Sequence, residues 1–105
     1  MNKINVTIGG FKTHYYEDEA EYIDILYGDS KVEDDSLVNI TAFMIASNCA
    51  LTTTQYIGSS DKEGTVKLLE SSRVVLKEFV NLDNNGAKRV DRFIDAMLDY
   101  INEWD

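Results

Sequence analysis

A glycine pair at positions 9 and 10 separates two segments in which apolar and polar residues alternate, and no other feature restricts the fold so tightly. Glycine adopts the positive φ angles that a two-residue hairpin turn requires, so the pair predicts a β-hairpin. Pairing across this turn places three pairs on one mostly apolar face: Ile8 with Phe11, Val6 with Thr13, and Ile4 with Tyr15. We expect the part of this face formed by Ile4, Val6, Ile8 and Phe11 to pack on helices.

Four segments after the hairpin carry the spacing of apolar residues that is typical of helices. They are residues 17–28, 36–57, 65–82 and 87–105. In the first, Ile23, Ile25 and Tyr27 also fit a strand, and in the second the β-branched residues leave strands open. We predict helices for all four, with the glycine-bounded segment 58–64 breaking the chain between the second and the third.

Apolar stripes indicate which helix faces are buried. The second segment has Leu37, Ile40, Met44 and Leu51, with Phe43 beside them and Ser47 as an interruption. The third has Val66, Leu69, Leu76 and Phe79. The last, which is the clearest helix, has Val90, Phe93, Ile94, Met97, Ile101 and Trp104. Since the second segment carries no charged residue, we expect it to be central and buried.

These elements predict an α+β fold, in which an N-terminal β-hairpin is followed by three or four helices packed as one small domain over residues 1–105. The length of 105 residues and a hydrophobic content of 44% suffice for one core. No apolar run approaches the length of a membrane span, and the start lacks the apolar stretch of a signal peptide, so we expect a cytoplasmic protein. The single cysteine, Cys49, lies in an apolar run and is expected to be a buried, inert thiol.

The negative charge of the chain is concentrated in one region. The formal net charge is −9, and residues 14–35 hold nine acidic residues against one basic residue, Lys31. Phosphate groups require a basic surface, so direct binding to nucleic acid or to an anionic membrane is disfavoured. A basic protein partner is favoured instead.

The same region is rich in tyrosine, since four of the six tyrosines lie within residues 14–29. Tyrosine is enriched in interface hot spots, and carboxylates engage lysine and arginine through charge-assisted hydrogen bonds. We therefore expect a partner-binding surface within residues 15–35, with Tyr27 reserved for packing. Its predicted members are Tyr15, Tyr16, Glu17, Asp18, Glu19, Glu21, Tyr22, Asp24, Asp29, Glu33, Asp34 and Asp35.

The last predicted helix has its charges in an unusual order. Lys88, Arg89 and Arg92 lie at its N-terminal end, where the helix dipole disfavours positive charge. Acidic residues follow at four-residue steps: Asp91, Asp95, Asp99 and Glu103. Two interpretations remain open: a solvated face relieved by local ion pairs, or a second acidic stripe presented to a basic partner.

Motifs for catalysis or metal binding are weak. The segment 81–92 comes near a calcium loop, but Arg92 occupies the position that needs a bidentate glutamate. His14 is the only histidine and has Cys49 as its sole soft companion, which is too little for a zinc site or an oriented nucleophile. We predict no metal, no cofactor and no catalytic residue; an enzyme would need a pocket holding a carboxylate of raised pKa.

These observations favour a small acidic, non-enzymatic inhibitor that binds a basic partner, such as a nuclease or a nucleic-acid-binding effector. Viral anti-defence proteins and immunity proteins against nuclease toxins have this general size and charge.

The alternative is a self-associating structural module, which makes a homo-oligomer possible. The hairpin–helix–helix start, "VTIGGFKTHYYEDEAEYI" followed by "NITAFMIASNCAL", resembles the N-terminal half of the small proteins that decorate the bacterial division ring. That resemblance implies self-association. Those proteins continue as a long dimerising coiled coil, whereas here "GSSDKEG" interrupts the chain and no heptads follow.

Overall fold

The computed structural model describes residues 2–8, 11–27, 37–79 and 84–104. A two-stranded antiparallel hairpin is followed by a 3-10 turn and four helices, which confirms the predicted α+β fold. The elements are β1 (Lys3–Ile8), β2 (Phe11–Tyr16), the 3-10 turn (Glu17–Glu19), α1 (Ala20–Tyr27), α2 (Leu37–Thr54), α3 (Lys62–Phe79) and α4 (Asn84–Asn102). Helix α4 packs against both α1 and α3, and α2 packs against α3.

The hairpin has the predicted register. Ile4 pairs with Tyr15, Val6 with Thr13, and Ile8 with Phe11, while the glycine turn itself lies outside the described residues. Burial along the apolar face rises from one end to the other: Phe11 is 45% exposed, Ile4 and Val6 are partly buried, and Tyr15 is 1% exposed. The expectation that Phe11 packs on helices was therefore wrong, because only the end of the hairpin away from the turn reaches the core.

The first helical segment adopts helix rather than strand, after a short 3-10 turn. The backbone N–H of Glu17 donates to the Asn2 carbonyl oxygen over 2.9 Å, one step beyond the last strand pair. This bond ties the start of the turn to β1. Helix α1 then buries Tyr22, Ile23 and Leu26 on one face.

Helix α2 answers the open question between helix and strands in favour of helix for residues 37–54, but its buried face differs from the predicted stripe. Met44 is 53% exposed. The fully buried positions are mostly small: Ala42, Phe43, Ala46, Cys49, Ala50 and Thr53. Helix α2 has apolar residues on all of its sides, so the sequence pattern does not show which face is buried. The face with small side chains is buried because it allows a neighbouring helix to approach closely. Cys49 is buried as expected, and burial raises the pKa of its thiol.

Helix α3 begins at Lys62, earlier than predicted, because Asp61 caps its first turn. The Gly64 backbone N–H donates to Oδ1 of Asp61 over 2.9 Å, and a Cβ at position 64 would collide with that carboxylate. Part of the predicted break is thus the first turn of the helix. Leu69 and Leu76 are fully buried, as predicted.

Helix α4 buries the predicted face, with one exception. Val90, Phe93, Ile94, Met97 and Ile101 are all 0% exposed. Trp104 is 47% exposed, so its predicted place in the core was wrong. The helix ends at Asn102, and Trp104 lies in the turn beyond it, against Gly58.

Candidate functional site

A cleft forms where α1 meets α4. It consists of two adjoining depressions of ≈ 280 Å³ and ≈ 370 Å³, which share Glu21, Tyr22 and Tyr100. The first depression is completed by Asp18 and Thr54. The second is completed by Ala96, Asp99 and Glu103.

The lining of this cleft is acidic. Asp18 and Glu21 come from the predicted binding segment, whereas Asp99 and Glu103 come from the predicted second stripe of α4. The fold therefore joins two acidic groups that lie at opposite ends of the chain. Within the described part of the chain, no lysine, arginine or histidine lines either depression.

Tyr22 lies at the centre of the cleft. Helix α1 places its side chain on the buried face beside Ile23, and the residue is 8% exposed. Burial raises the pKa of the Tyr22 phenol first, and the nearby Glu21, Tyr100 and Glu103 raise it further. Among the described residues, the Tyr22 hydroxyl has no hydrogen-bond partner. The ring of Tyr22 is thus held in the core, while its hydroxyl lies near acidic side chains, stays accessible to solvent and has no hydrogen bond to the described residues.

The other predicted members of the binding surface fall into three groups. Exposed side chains are Glu17, Asp18, Glu21 and Asp24, and Tyr16 is partly buried. Buried side chains are Tyr15 and Glu19, each 1% exposed. Asp29, Glu33, Asp34 and Asp35 lie outside the described residues.

Tyr15 belongs to the core rather than to the accessible surface. Its ring contacts Phe43 of α2 edge-on, with the ring centroids 6.0 Å apart. Tyr27 also packs near Phe43, with a centroid separation of 6.0 Å, and burial strongly raises the pKa of its phenol. Because a partner cannot reach the Tyr15 ring in this fold, Tyr15 is removed from the candidate surface.

Glu19 is a buried carboxylate that links elements rather than facing the cleft. Its Oε1 accepts the Tyr16 backbone N–H over 3.3 Å, and its Oε2 accepts the Ser47 hydroxyl over 3.2 Å. Burial raises the pKa of the Glu19 carboxyl, and the two hydrogen bonds and His14 offset this in part. One oxygen of Glu19 therefore bonds the end of β2, and the other ties the 3-10 turn to α2.

Basic residues of α3 form ion pairs with the first two acids of the α4 stripe. Nη1 of Arg73 lies 2.9 Å from Oδ1 of Asp91, and its Nη2 lies 2.7 Å from Oδ1 of Asp95. Nζ of Lys77 lies 2.7 Å from the same Asp91 oxygen. Hydrogen bonds from Lys77 and then Arg73 lower the pKa of the Asp91 carboxyl.

The remaining half of the stripe has no such compensation. Across the described ranges, no basic side chain lies within ion-pair distance of Asp99 or Glu103. The two halves of the stripe therefore differ: Asp91 and Asp95 pair with α3, while Asp99 and Glu103 line the cleft, and their presentation to a basic partner stays a prediction.

The basic start of α4 also has a structural use. Nε of Arg89 donates to the Leu26 carbonyl oxygen over 3.1 Å. Carbonyls at the end of a helix lack partners within that helix, and a cation there is favoured by the dipole. Arg89 thus holds the end of α1 against the start of α4, and so helps to position the cleft.

Sequence reasoning did not identify Tyr100, Ala96 and Thr54 as lining residues. Tyr100 follows Asp99 directly, and its ring meets Trp104 edge-on at 6.2 Å. The position of Tyr100 between Asp99 and Glu103 was the sequence feature that could have identified it as a lining residue. In the part of the chain that the structure describes, no group of three or more His, Cys, Asp or Glu side chains is placed to hold a metal ion.

Comparisons of this chain with protein-family models, with curated proteins and with solved structures found no match. None of the described helices combines the length and apolar character needed to cross a membrane.

Proposed function

We propose that this protein is a non-enzymatic inhibitor that binds a basic protein and blocks its nucleic-acid-binding surface, as anti-defence and immunity proteins do. The observation that carries the proposal is the cleft between α1 and α4. It gathers carboxylates from both acidic parts of the chain and, among its described lining residues, has no basic group.

Charge and shape both support this proposal. The net charge of −9 accelerates encounter with a basic partner, because long-range attraction steers association. The exposed Glu17, Asp18, Glu21 and Asp24 extend the acidic surface from the cleft along the 3-10 turn and α1. Carboxylates on such a surface can occupy the sites that a basic protein uses for phosphates.

The proposal is tested by affinity capture with a pair of charge-matched variants. The first combines Glu21→Lys with Glu103→Lys in the cleft, and the control combines Glu63→Lys with Glu78→Lys on the exposed side of α3. Both variants change the net charge equally. Circular dichroism and melting curves establish that each one is folded.

We expect the wild type and the α3 variant to capture the same basic protein from a lysate of the native host, and the cleft variant to lose it. Binding should weaken as ionic strength rises, because salt screens exposed charges. The captured protein should lose nucleic-acid binding or cleavage when the wild type is added. Equal capture by a folded cleft variant would contradict the proposal.

Self-association is a second candidate, and one observation favours it. Ile57 is 55% exposed and Trp104 is 47% exposed, and Trp104 lies against Gly58, the neighbour of Ile57. Exposed apolar groups that adjoin are frequent at protein interfaces. Sedimentation velocity distinguishes the candidates: an oligomer that dissociates when Trp104→Ala is introduced favours a structural module, and a monomer at all concentrations excludes it.

A further inference from the structure

The cleft between α1 and α4 consists of two small depressions, each of a size that suits one side chain. Its two depressions measure ≈ 280 Å³ and ≈ 370 Å³. Pockets for drug-sized molecules occupy about 300–1,000 Å³, so each depression taken alone lies near the low end of that range. A group that enters the second depression is therefore expected to be the end of a single side chain.

The chemistry of the lining restricts which side chain fits. Glu21, Asp99 and Glu103 present only hydrogen-bond acceptors when ionised. The Tyr22 side chain is mostly buried, and its hydroxyl, which has no partner among the described residues, remains accessible to solvent. An occupant must carry positive charge and offer several donors in different directions.

Tyr22 is what separates this cleft from an ordinary acidic surface. Its ring is held by the core, since the residue is 8% exposed and Ile23 beside it is 0% exposed. Its hydroxyl lies near Glu21, Tyr100 and Glu103, all of which line the second depression. The hydroxyl has no partner among the described residues, so it can accept a hydrogen bond from a donor that enters the cleft.

We infer that the cleft receives an arginine side chain of the basic partner, with the guanidinium donating to the Tyr22 hydroxyl and to the carboxylates of Glu21, Asp99 and Glu103. This inference rests on the proposed function. Arginine is favoured over lysine because its planar group offers five donors in a fixed fork and stacks on aromatic rings, of which Tyr100 supplies one. Lysine offers a compact charge with three donors and no flat surface.

The inference is tested with two short peptides of equal charge, Ac-Gly-Arg-Gly-Arg-Gly-amide and its lysine counterpart. Each is titrated into isotopically labelled protein and followed by NMR chemical shifts. We expect the arginine peptide to shift the amides around Tyr22 and Tyr100 and to bind several-fold more tightly than the lysine peptide. Equal affinity of the two peptides would overturn the inference.

Tyr22→Phe is the decisive variant, because it keeps the ring in the core and removes only the hydroxyl. We expect it to weaken binding of the arginine peptide by about tenfold, the effect of one hydrogen bond to a charged group. Glu63→Gln, which changes an exposed side chain on α3 away from the cleft, is the control and should leave binding of the arginine peptide unchanged. Unchanged affinity of a folded Tyr22→Phe protein would also overturn the inference.

Failure of the inference and failure of the proposed function give different results. If a basic partner is captured through the cleft carboxylates but binds Tyr22→Phe as tightly as wild type, the proposed function stands and the arginine site is overturned. If the arginine peptide binds as expected but no basic partner depends on the cleft, the arginine site stands and the proposed function is overturned.

Discussion

The hydroxyl of Ser47 donates to Oε2 of Glu19 over 3.2 Å, and this bond joins α2 to the 3-10 turn that precedes α1. Oε1 of the same carboxylate accepts the backbone N–H of Tyr16. Glu19 is 1% exposed, and burial raises the pKa of its carboxyl above the ordinary value of 4.5. Ser47, the polar residue that interrupts the apolar stripe of α2, therefore binds the buried carboxyl of Glu19.

We expect Glu19→Gln to reduce the pH dependence of folding. Because the pKa of Glu19 is higher in the folded state, this group contributes stability that is fully present below about pH 4.5 and is lost as pH rises through the raised pKa. Urea denaturation across this pH interval measures the effect. The wild type should lose unfolding free energy relative to Glu19→Gln as pH increases.

The control for Glu19 is Glu63→Gln, whose side chain is 82% exposed in the wild type. It removes one acidic charge at the surface and should leave the pH dependence close to that of the wild type. Parallel stability curves for the wild type and Glu19→Gln would show that ionisation of Glu19 does not oppose folding.

Phe93→Ala should destabilise the protein by about 3–5 kcal/mol, the usual cost of truncating a buried phenylalanine. Phe93 is 0% exposed and lies on the face of α4 that forms the core. Chemical denaturation gives the change in unfolding free energy. Arg92→Ala, at the exposed neighbouring position, should have a small effect, and a similar small loss for Phe93→Ala would contradict this packing.

Tyr56→Phe should stabilise the protein by about 1 kcal/mol, because it removes a buried polar group that has no partner. Tyr56 is 3% exposed, and its hydroxyl makes no hydrogen bond to the described residues. Thermal and urea denaturation measure the change. Tyr100→Phe, at a partly buried tyrosine that lines the cleft, is the comparison. A loss of stability in Tyr56→Phe would indicate that the hydroxyl is bonded.

Arg73→Met should weaken the contact between α3 and α4 by about 1 kcal/mol, a value kept low because its acidic partners are partly exposed. The guanidinium pairs with Asp91 and Asp95 across the helices, and Arg73 keeps 20% of its side chain exposed. The loss should shrink in high salt. Lys67→Met, which breaks an exposed pair with Glu63, is the matched control and should change stability less. Equal effects would contradict a role for Arg73 between helices.

Local patterns were sufficient where one segment specifies its own geometry. The glycine pair and the alternation on both sides of it predicted the strand register, because turn chemistry and pairing act on neighbouring residues. The strong periodicity of α4 likewise predicted the buried Phe93, Ile94, Met97 and Ile101. The concentration of acids in residues 14–35 was visible from the order of residues in the sequence.

Local patterns did not predict which side of an element is buried when more than one side is apolar. Apolar residues occur all around α2, and packing against its neighbours selected the small residues and left Met44 exposed. The alternation placed Tyr15 on the mostly apolar face of the hairpin, but its contact with Phe43 of α2, which makes it part of the core, depends on how the hairpin packs on the helices.

The sequence by itself determined the hairpin, the amphipathic last helix and the excess of negative charge, since each follows from residues close together in the chain. The tertiary structure alone decided that Arg73 neutralises one half of the α4 stripe and that Glu21 meets Asp99 and Glu103 around Tyr22. These groups are far apart in sequence, so their meeting depends on how α1, α3 and α4 pack together, which no local pattern encodes.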